Sequence, residues 1–180
     1  MSKVLIISTS LHFNSNSDIL AKECARGAVD AGNDVEILSL KGKKIEYCIG
    51  CLSCQKTGKC VIKDDVPEFI EKVKNADTLV FATPIYYYEM CGQMKTLLDR
   101  LNPLYGSDYR FKKVYMIATA DDNGGDYAFE KAYNGLQGWV DCFERAELCG
   151  LVSCGGVGAG GEVKNHTDAL IRAYELGKLL

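Results

Sequence analysis

The chain has 180 residues, 47% of them hydrophobic, enough to bury one sizeable core without disulfides or metals. A formal net charge of −3, a pI near 5.5 and no lysine- or arginine-rich segment leave nucleic acid and anionic membranes without an electrostatic footprint to meet. No stretch approaches the roughly 20 apolar residues of a membrane span, Met1-Ser2-Lys3 plus four apolar residues is too short for a signal peptide, and nine cysteines favour a reducing compartment, so a cytoplasmic location is expected.

The first strand is predicted at Val4–Ile7, a short apolar run suited to burial in a parallel sheet. It runs into Ser8-Thr9-Ser10-Leu11-His12-Phe13-Asn14-Ser15-Asn16-Ser17, which holds four Ser, one Thr and two Asn but no Lys or Arg. Leu20, Cys24 and Ala28 then mark a helix. A strand feeding a hydroxyl-rich loop that opens a helix offers backbone N–H groups, short donors and a positive dipole end to one anion. The loop therefore reads as a phosphate cradle built from neutral donors. The plainer alternative is a capped helix and a turn. The cradle carries neither the G-x-x-x-x-G-K-S/T string of nucleotide hydrolases nor the G-x-G-x-x-G of the dinucleotide fold.

The second strand is predicted at Val35–Leu38. After it, Cys48-Ile49-Gly50-Cys51-Leu52-Ser53-Cys54 and Cys60 spell C-x2-C-x2-C-x5-C. Three thiols at this spacing around Gly50 can turn toward one centre, and the fourth can close it, as an iron–sulfur cluster requires. Structural zinc more often uses two C-x2-C pairs set well apart. A cluster, uncoordinated or redox-active thiols, and zinc all remain open on spacing alone. Cys24, Cys91, Cys142, Cys149 and Cys154 are scattered and read as small buried hydrophobes.

Asp65, Pro67 and Glu68 open a helix from about Val66 to Lys74, and Thr78–Ala82 is the third predicted strand. Three consecutive tyrosines follow in Thr83-Pro84-Ile85-Tyr86-Tyr87-Tyr88-Glu89-Met90. They offer flat surfaces to a ring, or else a subunit contact or strand-end core. Met94, Leu97, Leu98 and Leu101 mark the next helix, Val114–Ala118 the fourth strand, and Ala120 to Gly125 the loop after it. A further helix lies within Tyr127–Glu147, Leu151–Cys154 is the fifth strand, Gly155–Gly161 is a glycine-rich loop over a site or a long turn, and Leu170, Ala173, Gly177 and Leu180 mark the last helix. Strands separated by helices predict one α/β domain over residues 1–180, its parallel sheet covered on both faces. Ligands of such sheets sit beyond the carboxyl ends of the strands, so the loops after strands one, three, four and five should converge.

The cradle, together with A-T-P-I-Y-Y-Y-E-M-C-G-Q-M-K-T-L-L-D-R from Ala82 to Arg100, resembles the flavodoxin-like NAD(P)H-dependent FMN reductase family. The cysteine string resembles that of its iron-sulfur flavoprotein branch. The resemblance implies a flavodoxin-like three-layer sandwich with a five-stranded parallel sheet in the order 2-1-3-4-5. It implies that Ser10, His12, Ser15, Asn16 and Ser17 hold the FMN phosphate, that Pro84, Ile85, Tyr86 and Tyr87 border the ring, and that Thr119, Ala120, Asp121 and Asn123 reach its edge or the ribityl chain. Lys95 and Asp99-Arg100 would serve helix placement or subunit contact. Cys48, Cys51, Cys54 and Cys60 would carry a 4Fe–4S cluster beside the flavin, in a homodimer or homotetramer. One departure stands out: Thr9-Ser10-Leu11-His12 replaces the family's G-S-x-R, removing a fixed positive charge from the phosphate site. The expected activity is hydride transfer from NAD(P)H to FMN and onward delivery of electrons to a small-molecule or protein acceptor. A carrier between ferredoxin, cluster and FMN, and a non-redox binding module, are the alternatives. Hydride transfer requires no acid–base side chain, so none is assigned.

Overall fold

A computed structural model describes residues 1–180. The chain runs β1 (Lys3–Ser8), α1 (Asn16–Asp30), β2 (Asp34–Ser39), α2 (Ser53–Thr57), α3 (Val66–Asn75), β3 (Thr78–Tyr86), β4 (Glu89–Met90) and α4 (Gly92–Arg100). It continues through β5 (Lys113–Thr119), α5 (Tyr127–Val140), β6 (Glu147–Cys154) and α6 (Thr167–Leu179), with 3-10 turns at Asn102–Leu104 and Glu162–Asn165. Five parallel strands pair in the order β2-β1-β3-β5-β6, which is the expected 2-1-3-4-5 arrangement.

Two features depart from expectation. Residues 83–86 continue β3 rather than forming a loop, and β4 folds back antiparallel on them, with Ile85 opposite Met90 and Tyr86 opposite Glu89. β6 begins at Glu147, four residues before the predicted start. A register irregularity opposite Val114/Tyr115, with Gly150 in the strand, interrupts the apolar run there.

Side-chain alternation along β1 divides the core. Val4 and Ile6 meet Leu20 and Cys24 of α1 and Ala169 and Ala173 of α6. Leu5 and Ile7 face the other layer, where Phe69 and Val73 of α3, Met94 and Leu97 of α4, and Leu136 of α5 are buried. The α3 positions Val66, Phe69, Ile70 and Val73 follow the helical repeat, which is why this helix could be placed from sequence. No helix is long and apolar enough to cross a membrane.

Helices α1 and α6 touch backbone to backbone. A Cβ at Gly27 would collide with the Tyr174 carbonyl, and one at Gly177 with the Cys24 carbonyl. Neither obstacle is a side chain that could rotate away. Gly177→Ala is therefore expected to cost about 3 kcal/mol, the upper part of the usual overpacking range, and chemical denaturation would show it as a lower midpoint at unchanged slope.

Candidate functional site

The chain leaves β1 toward β2 on one side and reaches β3 on the other, so the β1/β3 boundary is the switch point of the sheet. A crevice of about 170 Å³ opens there. Ser10, His12, Ser15 and Asn16 of the cradle line it on one side. Pro84, Ile85 and Tyr86 come from the end of β3, and Thr119 and Asp121 from the end of β5. Val157, Gly158 and Gly160 close it from the loop after β6. That loop was expected over a site, but its apolar and glycine residues carry no side-chain chemistry by which to single them out.

The cradle is fixed by its own hydrogen bonds. Thr9 donates both its backbone N–H and its hydroxyl to the Ala82 carbonyl, each at 2.9 Å, tying the cradle to β3. Ser15 precedes α1 in extended conformation, yet its side chain makes no cap hydrogen bond; its hydroxyl lies 3.0 Å from that of Ser17. No side chain thus occupies the positive end of α1, which leaves it available to an anion. Ser10 accepts from the His12 N–H at 3.2 Å.

Asn16 lines the crevice, but its side-chain amide is committed elsewhere. Its Nδ2 donates to the carbonyls of Val157 and Ala159 at 3.1 and 2.9 Å, and its Oδ1 accepts from the N–H groups of Gly161 and Val163 at 3.0 and 3.1 Å. Two donors and two acceptor positions are all that an asparagine amide has. The side chain is a clamp between α1 and the glycine loop, and it has no bond left for a phosphate. The loop lies close enough that a Cβ at Gly160 would press on the His12 ring.

Four expected residues lie off the crevice lining. Ser17 is buried behind Ser15, and Ala120 is buried with its backbone bonded to Cys154 and Val157. Asn123 lines a neighbouring hollow beside Gly155. Tyr87 points into solvent, 99% exposed. The cause is the turn: Tyr87 and Tyr88 have φ of 52° and 64°, left-handed values at both central positions of a two-residue hairpin. Asn-Gly is the usual choice there. Tyr88 is held instead by donating to the Asp122 carboxylate at 2.7 Å, with its ring 5.4 Å from that of Tyr127. Because the left-handed region disfavours branched and bulky residues by about 1 kcal/mol or more, Tyr87→Asn is expected to raise the thermal midpoint by a few degrees, about 1 kcal/mol in stability. A scan of melting temperature would check this, since Tyr87 has no packing to lose.

Cys48, Cys51, Cys54 and Cys60 line a second cavity of about 370 Å³, walled by Ile49, Leu52, Val61 and Ile62 and bordered by Asp99 and Asn102. Left-handed Gly50 and Leu52, with φ of 65° and 56°, reverse the loop so that Cys54, on α2, faces back toward the others. No three cysteines close around a point that a single ion could occupy. The backbone N–H and hydroxyl of Ser53 favour the thiolate of Cys51 and hold its pKa below the ordinary thiol value. Asn102 Nδ2 donates to Cys54 Sγ at 3.1 Å.

The cysteine loop is pinned from below. Arg100, wholly buried at the end of α4, forms a two-pronged pair with the equally buried Asp64, at 2.6 and 3.0 Å, and donates to the Glu46 carbonyl at 2.6 Å. Asp64 also accepts from the backbone N–H of Glu46 and of Val66 at 2.9 and 3.1 Å. Lys95 pairs with Asp99 on the exposed face of the same helix. Arg100 thus provides the helix placement expected of it.

A parallel sheet with an uncapped helix start at its switch point and an aromatic hairpin alongside defines a mononucleotide-binding protein of the flavodoxin-like class. The chain belongs to the NADPH-dependent FMN reductase family, whose description matches residues 2–147. An iron-sulfur flavoprotein from Methanocaldococcus jannaschii is 33% identical over 181 residues, covering 98% of this chain and 94% of that protein. One from Archaeoglobus fulgidus is 40% identical over 86 residues, 48% of this chain and 39% of that protein. Among solved structures, an NAD(P)H:quinone oxidoreductase from Methanothermobacter marburgensis superposes with a TM-score of 0.75 at 19% identity, over 98% of this chain and 94% of the other. An azoreductase from Bacillus anthracis gives 0.74 at 16% identity over 100% of both chains. The protein is an FMN-binding, NAD(P)H-dependent oxidoreductase. The crevice is lined by residue types that suit FMN, the short neutral donors Ser10 and Ser15 together with Pro84, Ile85 and Tyr86.

Proposed function

We propose that this protein takes electrons from a nicotinamide nucleotide at the FMN crevice and delivers them singly, through an iron–sulfur cluster in the cysteine cavity, to a small-molecule or protein acceptor. FMN converts two-electron to one-electron transfer when bound, and a four-thiolate cluster accepts electrons one at a time. The chain's part is to hold and shield. Ser10, Ser15 and the start of α1 would hold the phosphate, Tyr86 would border the ring, and Thr119 and Asp121 would meet the ribityl side.

The observation that carries the reading is the second cavity. Four cysteines at C-x2-C-x2-C-x5-C spacing share its wall, a donor set suited to an iron–sulfur cluster. The names of the archaeal relatives agree with it. Tyr47, Ile49, Leu52 and Val61 project from the same loop, each more than half exposed, a patch that a second copy of the chain would cover. A homo-oligomer is therefore part of the proposal, with a light-scattering mass at a multiple of 19.8 kDa.

Anaerobic reconstitution with FMN, ferrous iron and sulfide tests the proposal. The expected product shows flavin bands over a broad iron–sulfur absorption, with iron and sulfide in equal amounts. Cys51→Ser with Cys54→Ser removes the broad absorption and keeps the flavin. Flavin bands alone, with no bound iron, would reduce the protein to a plain FMN reductase.

A further inference from the structure

The turn that ends α4 brings a nitrogen donor up to the cysteine cavity. Asn102 borders it directly, and its Nδ2 lies 3.1 Å from Cys54 Sγ. An amide NH2 can only donate, so the contact has one sense, N–H to sulfur. The acidic neighbour at the cavity, Asp99, is engaged with Lys95 at 2.7 Å and is not the partner of this amide.

We infer that Asn102 is a positioning residue for the cysteine quartet, its amide holding Cys54 and raising the reduction potential of the cluster that the cysteines carry. The inference rests on the cluster reading above. A donor to a ligating sulfur draws negative charge from it. The reduced cluster carries one more negative charge than the oxidised one and gains more from that donor. Removing the donor therefore favours the oxidised state.

The experiment is a reductive titration of the reconstituted protein, followed by electron paramagnetic resonance of the cluster, on wild type, Asn102→Ala and Asn102→Ser. Asn102→Ala is expected to disfavour reduction about tenfold, a shift of about 59 mV to more negative potential for a one-electron couple. Asn102→Ser, which restores a hydroxyl donor, recovers part of the shift. Loss of the cluster from Asn102→Ala with the flavin retained, and its return in Asn102→Ser, supports the same role through Cys54. A purely structural turn residue would leave the potential alone: wild-type iron content and wild-type potential in Asn102→Ala overturns the inference while leaving the cluster reading intact. Wild-type protein that takes up no iron and sulfide overturns both.

Discussion

Asn16→Ala is expected to weaken FMN binding ten- to a hundredfold and to lower the stability of the protein by about 3 kcal/mol. Four hydrogen bonds of 2.9 to 3.1 Å end on this one amide. Each contributes about 1 kcal/mol net, and their loss strands the Val163 N–H in a buried site, where an unpaired group costs about 1–3 kcal/mol. The loop so released supplies Val157, Gly158 and Gly160 to the crevice, so ordering it would oppose flavin binding. Fluorescence titration with FMN and with riboflavin separates this from direct phosphate binding. A clamp gives parallel losses for both ligands. A phosphate contact would weaken FMN and spare riboflavin, and that result would remove the clamp assignment.

The second large effect is expected at the Arg100–Asp64 pair. Both side chains are fully buried, so removing either leaves an uncompensated charge in the interior, and Arg100→Ala should cost about 3–5 kcal/mol. Burial pushes the Asp64 carboxyl upward, but the Arg100 guanidinium and the N–H groups of Glu46 and Val66 outweigh it and hold its pKa below the ordinary value. The sign of the pH dependence follows. The stabilisation is complete above the unfolded carboxylate pKa of about 4 and is lost as pH falls through the lower folded value. Urea unfolding at neutral pH and at about pH 3 should show a steeper acid loss in wild type than in Asp64→Asn. Equal losses in the two proteins would mean that the pair does not anchor the cysteine loop.

Much of the architecture could be read from sequence because parallel strands are short apolar runs and the helices between them repeat their apolar positions. Val4–Ile7 and Thr78–Ala82 announce themselves in this way. β4 does not, since two residues carry no period, and Pro84 with three tyrosines imitates a loop. Four crevice residues were found because the cradle is continuous in sequence, and Pro84, Ile85, Tyr86, Thr119 and Asp121 through the resemblance at the strand ends. The function of Asn16 was hidden, because its partners lie 141 to 147 residues away and it sits among serines that suggest phosphate. Tyr87 was placed at the ring by the family resemblance, and the left-handed turn, legible only in three dimensions, leaves it exposed. Asn102 belongs to no motif; its sulfur contact exists only in three dimensions.

The lack of any lysine or arginine along the crevice lining has a kinetic consequence. With an overall charge of −3 and no local cation to focus the field, a phosphate-bearing coenzyme is not drawn in from a distance. Its retention then comes from short-range amide and hydroxyl contacts, which added electrolyte screens only weakly. The flavin should arrive at an ordinary diffusional pace and remain in place through concentrated salt washes that would strip a coenzyme held by ion pairing.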